Sequence, residues 1–506
     1  MLQSLGEVLP AAARQFGDKT ALVFDGRSFS FNELNEKSNR LANGLNAIGV
    51  EAGDRVTLYA QNCWQWIVSY YAIFKIGAVA NPINVMLTPK EVGFVVEDCG
   101  ATALLASRDK GEPLLGLKGE SSLKEIIIFD DEVPDGARSF NAMLEDNSAD
   151  LQIKTVPTDE LSTICYTSGT TGHPKGGMHS HRNVIWNAAL TAMLTVRTQH
   201  DTVVTALPLP HVYGNVIMNT TFLYGMTLVL LPLYDEVTVL QAIQEHKATL
   251  FEGVPTMYMY LLAHPEFDRY DLSSLTRCTV GGQTMPAAKA EEFEARVGCP
   301  LLEIWGMTEV AGLGTANPWY GENRHGSIGI ALPYTECRIA DVEDAAKTLA
   351  FGEVGELMIR GPIVMQAYYG NEKATRETIE ADGWLHSGDL AKMDEDGYVW
   401  IVDRKMDMIL TAGFNVYPAE HERVIAMHPA VALVAVGSQP DEAKGEIAKA
   451  YIVLRPEAEG DKDSILALCR EHLAAYKVPR RIQFVADLPK TSTGKVMRRE
   501  LHTLDD

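Results

Sequence analysis

Positive charge is scarce in this chain of 506 residues: Lys and Arg number 44 against 67 Asp and Glu, a formal net charge of -23. That balance argues against a polyanionic partner such as nucleic acid. Cysteine is sparse and unpaired in spacing. Cys63, Cys99, Cys165, Cys278, Cys299, Cys337 and Cys469 include no C-x-x-C pair and mostly sit in apolar surroundings, the pattern of reduced thiols without a zinc site. Met1 to Gly17 lacks a basic region ahead of an apolar core, so no signal peptide is expected and the cytoplasm is the expected compartment. Thr202 to Tyr234 carries no Asp, Glu, Lys or Arg and is long enough to cross a bilayer. Pro208, Pro210, Gly214, Asn215, Asn219 and Gly225 interrupt it, and a buried strand, turn, helix and strand is the better reading. No amphipathic anchor stands out, and no integral membrane contact is expected.

What is present is alternation. Val56 to Ala60, Ala103 to Ala106, Ile126 to Phe129, Val203 to Leu207, Leu228 to Leu231, Leu250 to Gly253 and Cys278 to Gly281 read as strands at βα spacing. Ser30-Phe31-Asn32-Glu33 has capping-box spacing, and Leu34, Leu41, Leu45 and Ile48 keep one helical face up to Gly49. An α/β fold with mostly parallel, doubly wound sheets follows. From about Gly321 the runs shorten and alternate, as in Glu356 to Arg360 and Tyr398 to Val402, which points to an antiparallel sheet or barrel. Beyond Arg404 a compact α+β unit is expected, with a helix from about Ser464 to Tyr476. The stretches 108 to 122 and 132 to 156 are the least patterned and read as surface loops.

The densest chemistry lies in Thr167-Ser168-Gly169-Thr170-Thr171-Gly172-His173-Pro174-Lys175-Gly176, directly after the apolar run Leu161 to Tyr166. A loop leaving the carboxyl end of a strand is where open α/β sheets place ligands. Its glycines let backbone N-H groups approach an anion, its hydroxyls add donors, and Lys175 neutralises charge on a polyphosphate. It is not a Walker A loop, because Gly176 follows the lysine.

This decapeptide resembles the phosphate-binding motif of the acyl-adenylate-forming superfamily, which includes acyl-CoA synthetases, luciferases and peptide-synthetase adenylation domains. Further elements in family order extend the resemblance over essentially the whole chain. Gly281-Gly282-Gln283-Thr284-Met285-Pro286 resembles the G-G-x-x-x-P turn bordering the adenine and acyl pockets. Trp305-Gly306-Met307-Thr308-Glu309 looks like the aromatic-G-x-T-E element. Trp384-Leu385-His386-Ser387-Gly388-Asp389 resembles W-x-x-[ST]-G-D, and Asp403-Arg404 the D-R step at the hinge. Gly413-Phe414-Asn415-Val416-Tyr417-Pro418-Ala419-Glu420 and Pro489-Lys490-Thr491-Ser492-Thr493-Gly494-Lys495 resemble the two elements of the small domain.

The resemblance implies a large domain over 1 to 403, with doubly wound sheets and a distorted β-barrel, and a small mobile α+β domain over 404 to 506. It implies ATP, magnesium and coenzyme A as cofactors and cosubstrates. ATP is expected along Thr167, Ser168, Gly169, Thr170, Thr171, Gly172 and Lys175, with Gly282, Gln283, Thr284, Trp305, Gly306, Met307 and Thr308 at the base, Asp389 on the ribose and Arg404 on ribose or phosphate. Glu309 and Thr170 are the magnesium residues, and Lys495 is the adenylation lysine. Gly413 and Phe414 face the CoA thiol. Arg404, Lys405 and Met406 form the hinge, where relatives usually carry lysine or aspartate in place of Met406. By position, the acyl pocket takes His211, Val212, Tyr213, Gly214, Asn215, Val280, Gly281, Gly282, Val310, Gly312 and Leu313. His211 is read as a gate near the carboxylate, against the alternative of a satisfied interior histidine, and Gly312 and Gly314 are expected to leave room for a chain or ring.

The implied reaction is ATP-dependent activation of a carboxylic acid through acyl-AMP and transfer to CoA. A fatty acid is the first expectation, from the G-F-N-V-Y-P wording; aryl acids of the cinnamate type and short dicarboxylates stay open. A carrier-loading enzyme, a luciferase-like oxygenase and a non-catalytic nucleotide-binding module are the rival classes. No carrier domain or phosphopantetheine-serine motif follows Lys495 before Asp506. The oligomeric state is open, a homodimer included.

Overall fold

The computed structural model describes residues 2–119, 121–167, 174–404, 407, 409–411, 414–441, 445–474, 477–491 and 496–505. Two large sheets dominate. The first has nine strands, with Leu301–Met307, Arg277–Val280, Leu250–Gly253, Thr202–Thr205, Thr227–Leu230 and Thr20–Phe24 running parallel in that spatial order and antiparallel partners at both edges. The second has eight strands, in the order Ala367–Tyr368, Lys175–Ser180, Leu161–Thr167, Val79–Pro82, Arg55–Tyr59, Ala101–Ala106, Glu125–Ile128 and Arg138–Ser139. Every strand read from the sequence at βα spacing lies in one of these sheets, its ends shifted by no more than two residues.

The largest core cluster fills the space around both sheets, and its biggest fully buried side chains include Trp66, Tyr70, Tyr71, Phe74 and Phe222. The charge-free segment resolves into strand Thr202–Thr205, helix Val212–Tyr224 and strand Thr227–Leu230, with nearly the whole helix buried. No described helix is long and apolar enough to cross a membrane. Ser30 caps helix Phe31–Ala47 with both bonds of the capping box.

The antiparallel unit after Gly321 is a four-stranded sheet, Glu336–Ala340, Gly355–Arg360, Leu385–Met393 and Val399–Arg404. The last five strands form a separate small sheet on its own core of Ile409, Val424, Ile425, Val436, Ile452, Ile465 and Cys469. Helix Lys462–His472 begins earlier than expected because Asp461 caps it, and it stops before Leu473.

The supposed loops carry structure. Residues 108 to 117 form a short helix and a 3-10 turn, and Ser139 caps helix Phe140–Asp146, which buries Phe140, Met143 and Leu144. The i, i+3, i+4 spacing of those three residues is a helical face only two turns long, too short to stand out from its polar flanks.

Candidate active site

The strands Leu161–Thr167 and Lys175–Ser180 form an antiparallel hairpin, Thr167 opposite Lys175. Ser168, Gly169, Thr170, Thr171 and Gly172 themselves lie outside the described residues. A third strand sutures the hairpin from the side. Tyr368 pairs with Gly177 and Ala367 with Met178, and the Tyr369 amide donates to the Gly176 carbonyl at 2.7 Å. This suture brings Tyr368 to the open end of the two hairpin strands, where its hydroxyl donates to Glu309 Oε1 at 2.5 Å and its ring lies 5.2 Å from Lys175 Nζ.

Burial, and then the charge of Glu309, push the Tyr368 hydroxyl far above the ordinary tyrosine range, so it remains a donor. Glu309 is itself held in place. The Met365 amide donates to its carbonyl at 2.8 Å, and His179 on the hairpin contacts the Thr308 carbonyl through Nε2 at 2.7 Å. Burial lowers the His179 pKa to about 4, which leaves the ring neutral with Nε2 as the donor to that carbonyl. Neither Tyr368 nor His179 belongs to the residues expected from the sequence.

Trp305 and Asp389 come together across two different sheets. The Trp305 indole N-H donates to Asp389 Oδ2 at 2.8 Å, both residues being buried. The Asp389 amide donates to Ser387 Oγ at 3.1 Å, and Asp389 pairs with Arg404 on the neighbouring strand. That pairing puts Arg404 beside the aspartate through the backbone. Lys405, Met406 and Gly413 lie outside the described residues, as does Lys495, and Phe414 is placed by the backbone of strand Phe414–Val416.

Behind the hairpin runs helix His181–Thr195, capped by Ser180. Its Asn187 is fully buried and grips the segment after Glu309, donating to the Val310 and Leu313 carbonyls at 2.8 and 2.7 Å and accepting from the Leu313 amide at 3.1 Å. Gly312 there has φ +146, and a Cβ on it would come within 2.3 Å of Val216 and 2.6 Å of Asn187. A Cβ on Gly306 would stand 2.0 Å from the Gly312 carbonyl, and one on Gly314 would stand 2.6 Å from the Trp305 ring. The expectation that Gly312 and Gly314 leave room for a chain or ring therefore needs correction. Their missing side chains permit close packing of strand Gly312–Ala316 against Trp305 and the two helices behind it.

The acyl-pocket residues divide by direction. His211 is exposed, and its Nδ1 accepts the Tyr213 amide at 3.2 Å as the N-cap of helix Val212–Tyr224, so it is not an interior histidine. Val212 and Val280 are buried beside the same region, and Gly281 abuts Ile304. Gly282 has φ +91, a turn that favours glycine, and with Thr284 it is exposed.

Asn215 turns away from the expected pocket, since its Oδ1 accepts from Tyr70 at 3.0 Å and from Asn219 at 2.8 Å in the core. Tyr213 points to a buried polar network. Its hydroxyl shares a 2.7 Å hydrogen bond with Thr279 Oγ1, Thr279 donates to Glu252 at 2.9 Å, and Glu252 takes a bidentate ion pair from Arg197 at 2.6 and 3.0 Å. Arg197 and Glu252 were invisible as partners in the sequence because they lie 55 positions apart and no local spacing links them.

The described residues hold no cluster of three or more His, Cys, Asp or Glu suited to a metal. A magnesium ion needs less than that, because it is usually held by one or two carboxylates with substrate phosphates supplying the rest. Glu309 fits this role: one carboxylate oxygen is taken by Tyr368, leaving the other for a cation brought by the nucleotide.

The family model described as "AMP-binding enzyme" matches residues 9–369, and its C-terminal domain model matches residues 420–495. The chain belongs to the AMP-binding enzyme family. Within this family it is similar to the long-chain-fatty-acid–CoA ligase of Bacillus subtilis, 33% identical over 528 aligned positions that cover 99% of this chain and 94% of that one. It is also similar to feruloyl-CoA synthase of an Amycolatopsis species, 35% identical over 505 positions covering 99% and 98%. Among solved structures, an anthranilate CoA ligase in complex with anthranoyl-AMP superimposes with a TM-score of 0.93 at 31% identity, covering 99% of this chain and 97% of that one. The AMP-binding protein is an acid-thiol ligase of the AMP-forming acyl-CoA type, using ATP and CoA.

Proposed function

We propose that the residues gathered around the hairpin activate an apolar carboxylic acid as its adenylate and pass it to CoA. The carboxylate oxygen attacks the α-phosphorus of ATP, the bond to pyrophosphate breaks, and acyl-AMP forms. The CoA thiolate then attacks the acyl carbon, the bond to AMP breaks, and the thioester and AMP leave. Lys495 carries the first step by stabilising charge that develops at the carboxylate-phosphate junction. Asp389 accepts from the ribose hydroxyls, with Trp305 fixing its orientation, and Lys175 meets the phosphates. Glu309 and Thr170 would hold magnesium, which would screen the triphosphate charge. The small domain then turns about Arg404 to Met406 to present Gly413 and Phe414 to the thiol.

The observation that carries this reading is the convergence of Lys175, Tyr368 and Glu309 at the hairpin mouth.

For the acid, a fatty chain is the first reading, supported by the long-chain relatives and by the G-F-N-V-Y-P wording. An aromatic acid is the second. It is supported by the feruloyl-CoA synthase relative and by the likeness to the anthranilate CoA ligase structure.

Pyrophosphate release with ATP and magnesium, measured over fatty, aryl and dicarboxylic acids with and without CoA, tests the proposal. One chemical class should give CoA-stimulated release. Lys495→Ala should abolish release while leaving thioester formation from pre-made acyl-AMP largely intact, and equal loss of both would contradict the role of Lys495.

A further inference from the structure

The tail of the chain returns to the large domain. Lys490 and Val496 form an antiparallel bridge, which closes the base of the segment that ends the P-[KR]-[TN]-x-x-G-K element. Three contacts tie that base down. The Tyr260 hydroxyl donates to Asp487 Oδ1 at 2.9 Å. The Lys490 ammonium bonds both that hydroxyl and that carboxylate, and stands 4.8 Å from the centre of the Tyr260 ring. The Val496 amide, one residue beyond Lys495, donates at 3.1 Å to Gln283 Oε1 in the Gly281 to Pro286 turn. Met259 and Tyr260 also pack on a small apolar cluster that holds Leu488, Val496 and Leu433.

Tyr260 belongs to helix Pro255–Ala263, in the first sheet's layer, where its hydroxyl meets Asp487 and Lys490 and its ring stacks near Tyr234. Its phenol is suited to a hub, since one O-H donates to the carboxylate while the oxygen accepts from the ammonium. Burial, with the Asp487 contact, raises the hydroxyl well above the ordinary tyrosine range and keeps that proton in place.

We propose that Tyr260 is a positioning residue for the first half-reaction, a latch that holds the base of the Lys495 segment against the nucleotide-side turn. It acts by removing conformational freedom from the segment before the reactants meet, so that less must be lost on the way to the transition state. The inference rests on the role given to Lys495 above. Since the latch joins the small domain to the large one, it must release before the second half-reaction, and it should therefore affect the two halves differently.

The test uses the full chain and three proteins: wild type, Tyr260→Phe, which keeps the ring, and Asp487→Asn, which keeps the shape of the acceptor. Steady-state pyrophosphate release, thioester formation from pre-made acyl-AMP, and hydrogen exchange of the amides between Ala486 and Arg498 are measured on each. Both variants should lower kcat for pyrophosphate release roughly tenfold, as expected for loss of one charge-assisted hydrogen bond, with the KM for ATP nearly unchanged. Thioester formation should hold or rise, and the Val496 amide should exchange faster. Equal falls in both halves, or an unchanged rate of pyrophosphate release, would overturn the latch. If the wild type releases no pyrophosphate with any acid, the role of Lys495 fails while exchange at Val496 still decides whether Tyr260 holds the segment: unchanged exchange in both variants would overturn it.

Discussion

Tyr368 stands between the two charges that a nucleotide would meet first, bonded to Glu309 and lying against Lys175. Removing its hydroxyl leaves the buried carboxylate without its donor, so Tyr368→Phe should shift magnesium dependence to higher concentration. It should also slow pyrophosphate release roughly tenfold, the scale of a hydrogen bond to a charged group. An unchanged magnesium titration at unchanged rate would separate the Tyr368 contact from the reaction. At this scale Trp305, Glu309 and Asp389 could be singled out in the chain because each sits in a short motif that resembles a family element, and the structure joins Trp305 to Asp389 by a hydrogen bond. Tyr368 could not be read that way. Its partner is 59 positions distant, and that of His179 is 129 positions away. Such contacts exist only once the strands are registered, and no local spacing encodes them. The Tyr368-Tyr369-Gly370 run was the one available signal, and it is no different from an ordinary strand end.

Helices and strands here carry polar side chains as fasteners between elements. The ion pair of Arg197 with Glu252 is fully buried on both sides and continues through Thr279 to Tyr213. Breaking it from one side strands a charge, so Glu252→Gln should cost about 3 to 5 kcal/mol in denaturant unfolding, whereas replacing both members by apolar residues of similar volume should recover most of that loss. A cost below about 1 kcal/mol for the single change would mean that water reaches the pair.

Element type and order were legible because strands such as Leu250–Gly253 and helices such as Phe31–Ala47 show clear periodicity and caps. Helix Phe140–Asp146 was missed because its apolar face is short. The packing at Gly312 was misjudged because a glycine looks identical in a sequence whether it opens a space or closes one.

Over the whole molecule, buried titratable groups set how stability changes with pH. Burial brings His179 and His181 down to about 4 from 6.5, so the unfolded chain binds protons there that the folded chain refuses, and stability falls as pH drops below about 6.5. Burial depresses His421 as well. Glu303 works in the opposite sense. Burial lifts it to about 8 despite amide donors from Gly326 at 2.6 Å and Met285 at 3.3 Å, so its contribution is complete below pH 4.5 and lost as pH rises through 8. The histidines outweigh Glu303 between 4.5 and 6.5, and above 6.5 Glu303 acts alone among these groups. Urea midpoints should rise toward about pH 6.5 and decline to pH 8, and Glu303→Gln should remove the decline; a wild-type midpoint still climbing at pH 8 would contradict this assignment. None of it was legible in the chain, because a glutamate in a strand gives no sign of being sealed from water.

The contact of Val496 with Gln283 also bears on throughput. The latch proposed above, closing and opening once per catalytic cycle, would be subject to an optimum: too loose, and the lysine would seldom be delivered; too tight, and the product of the first step would wait. The fastening consists of one amide bond, one phenol and one ammonium, a small set to break in each cycle. Selection for faster turnover would then act on this seam as readily as on the residues that touch the reactants, and variants that grip harder would be slower enzymes.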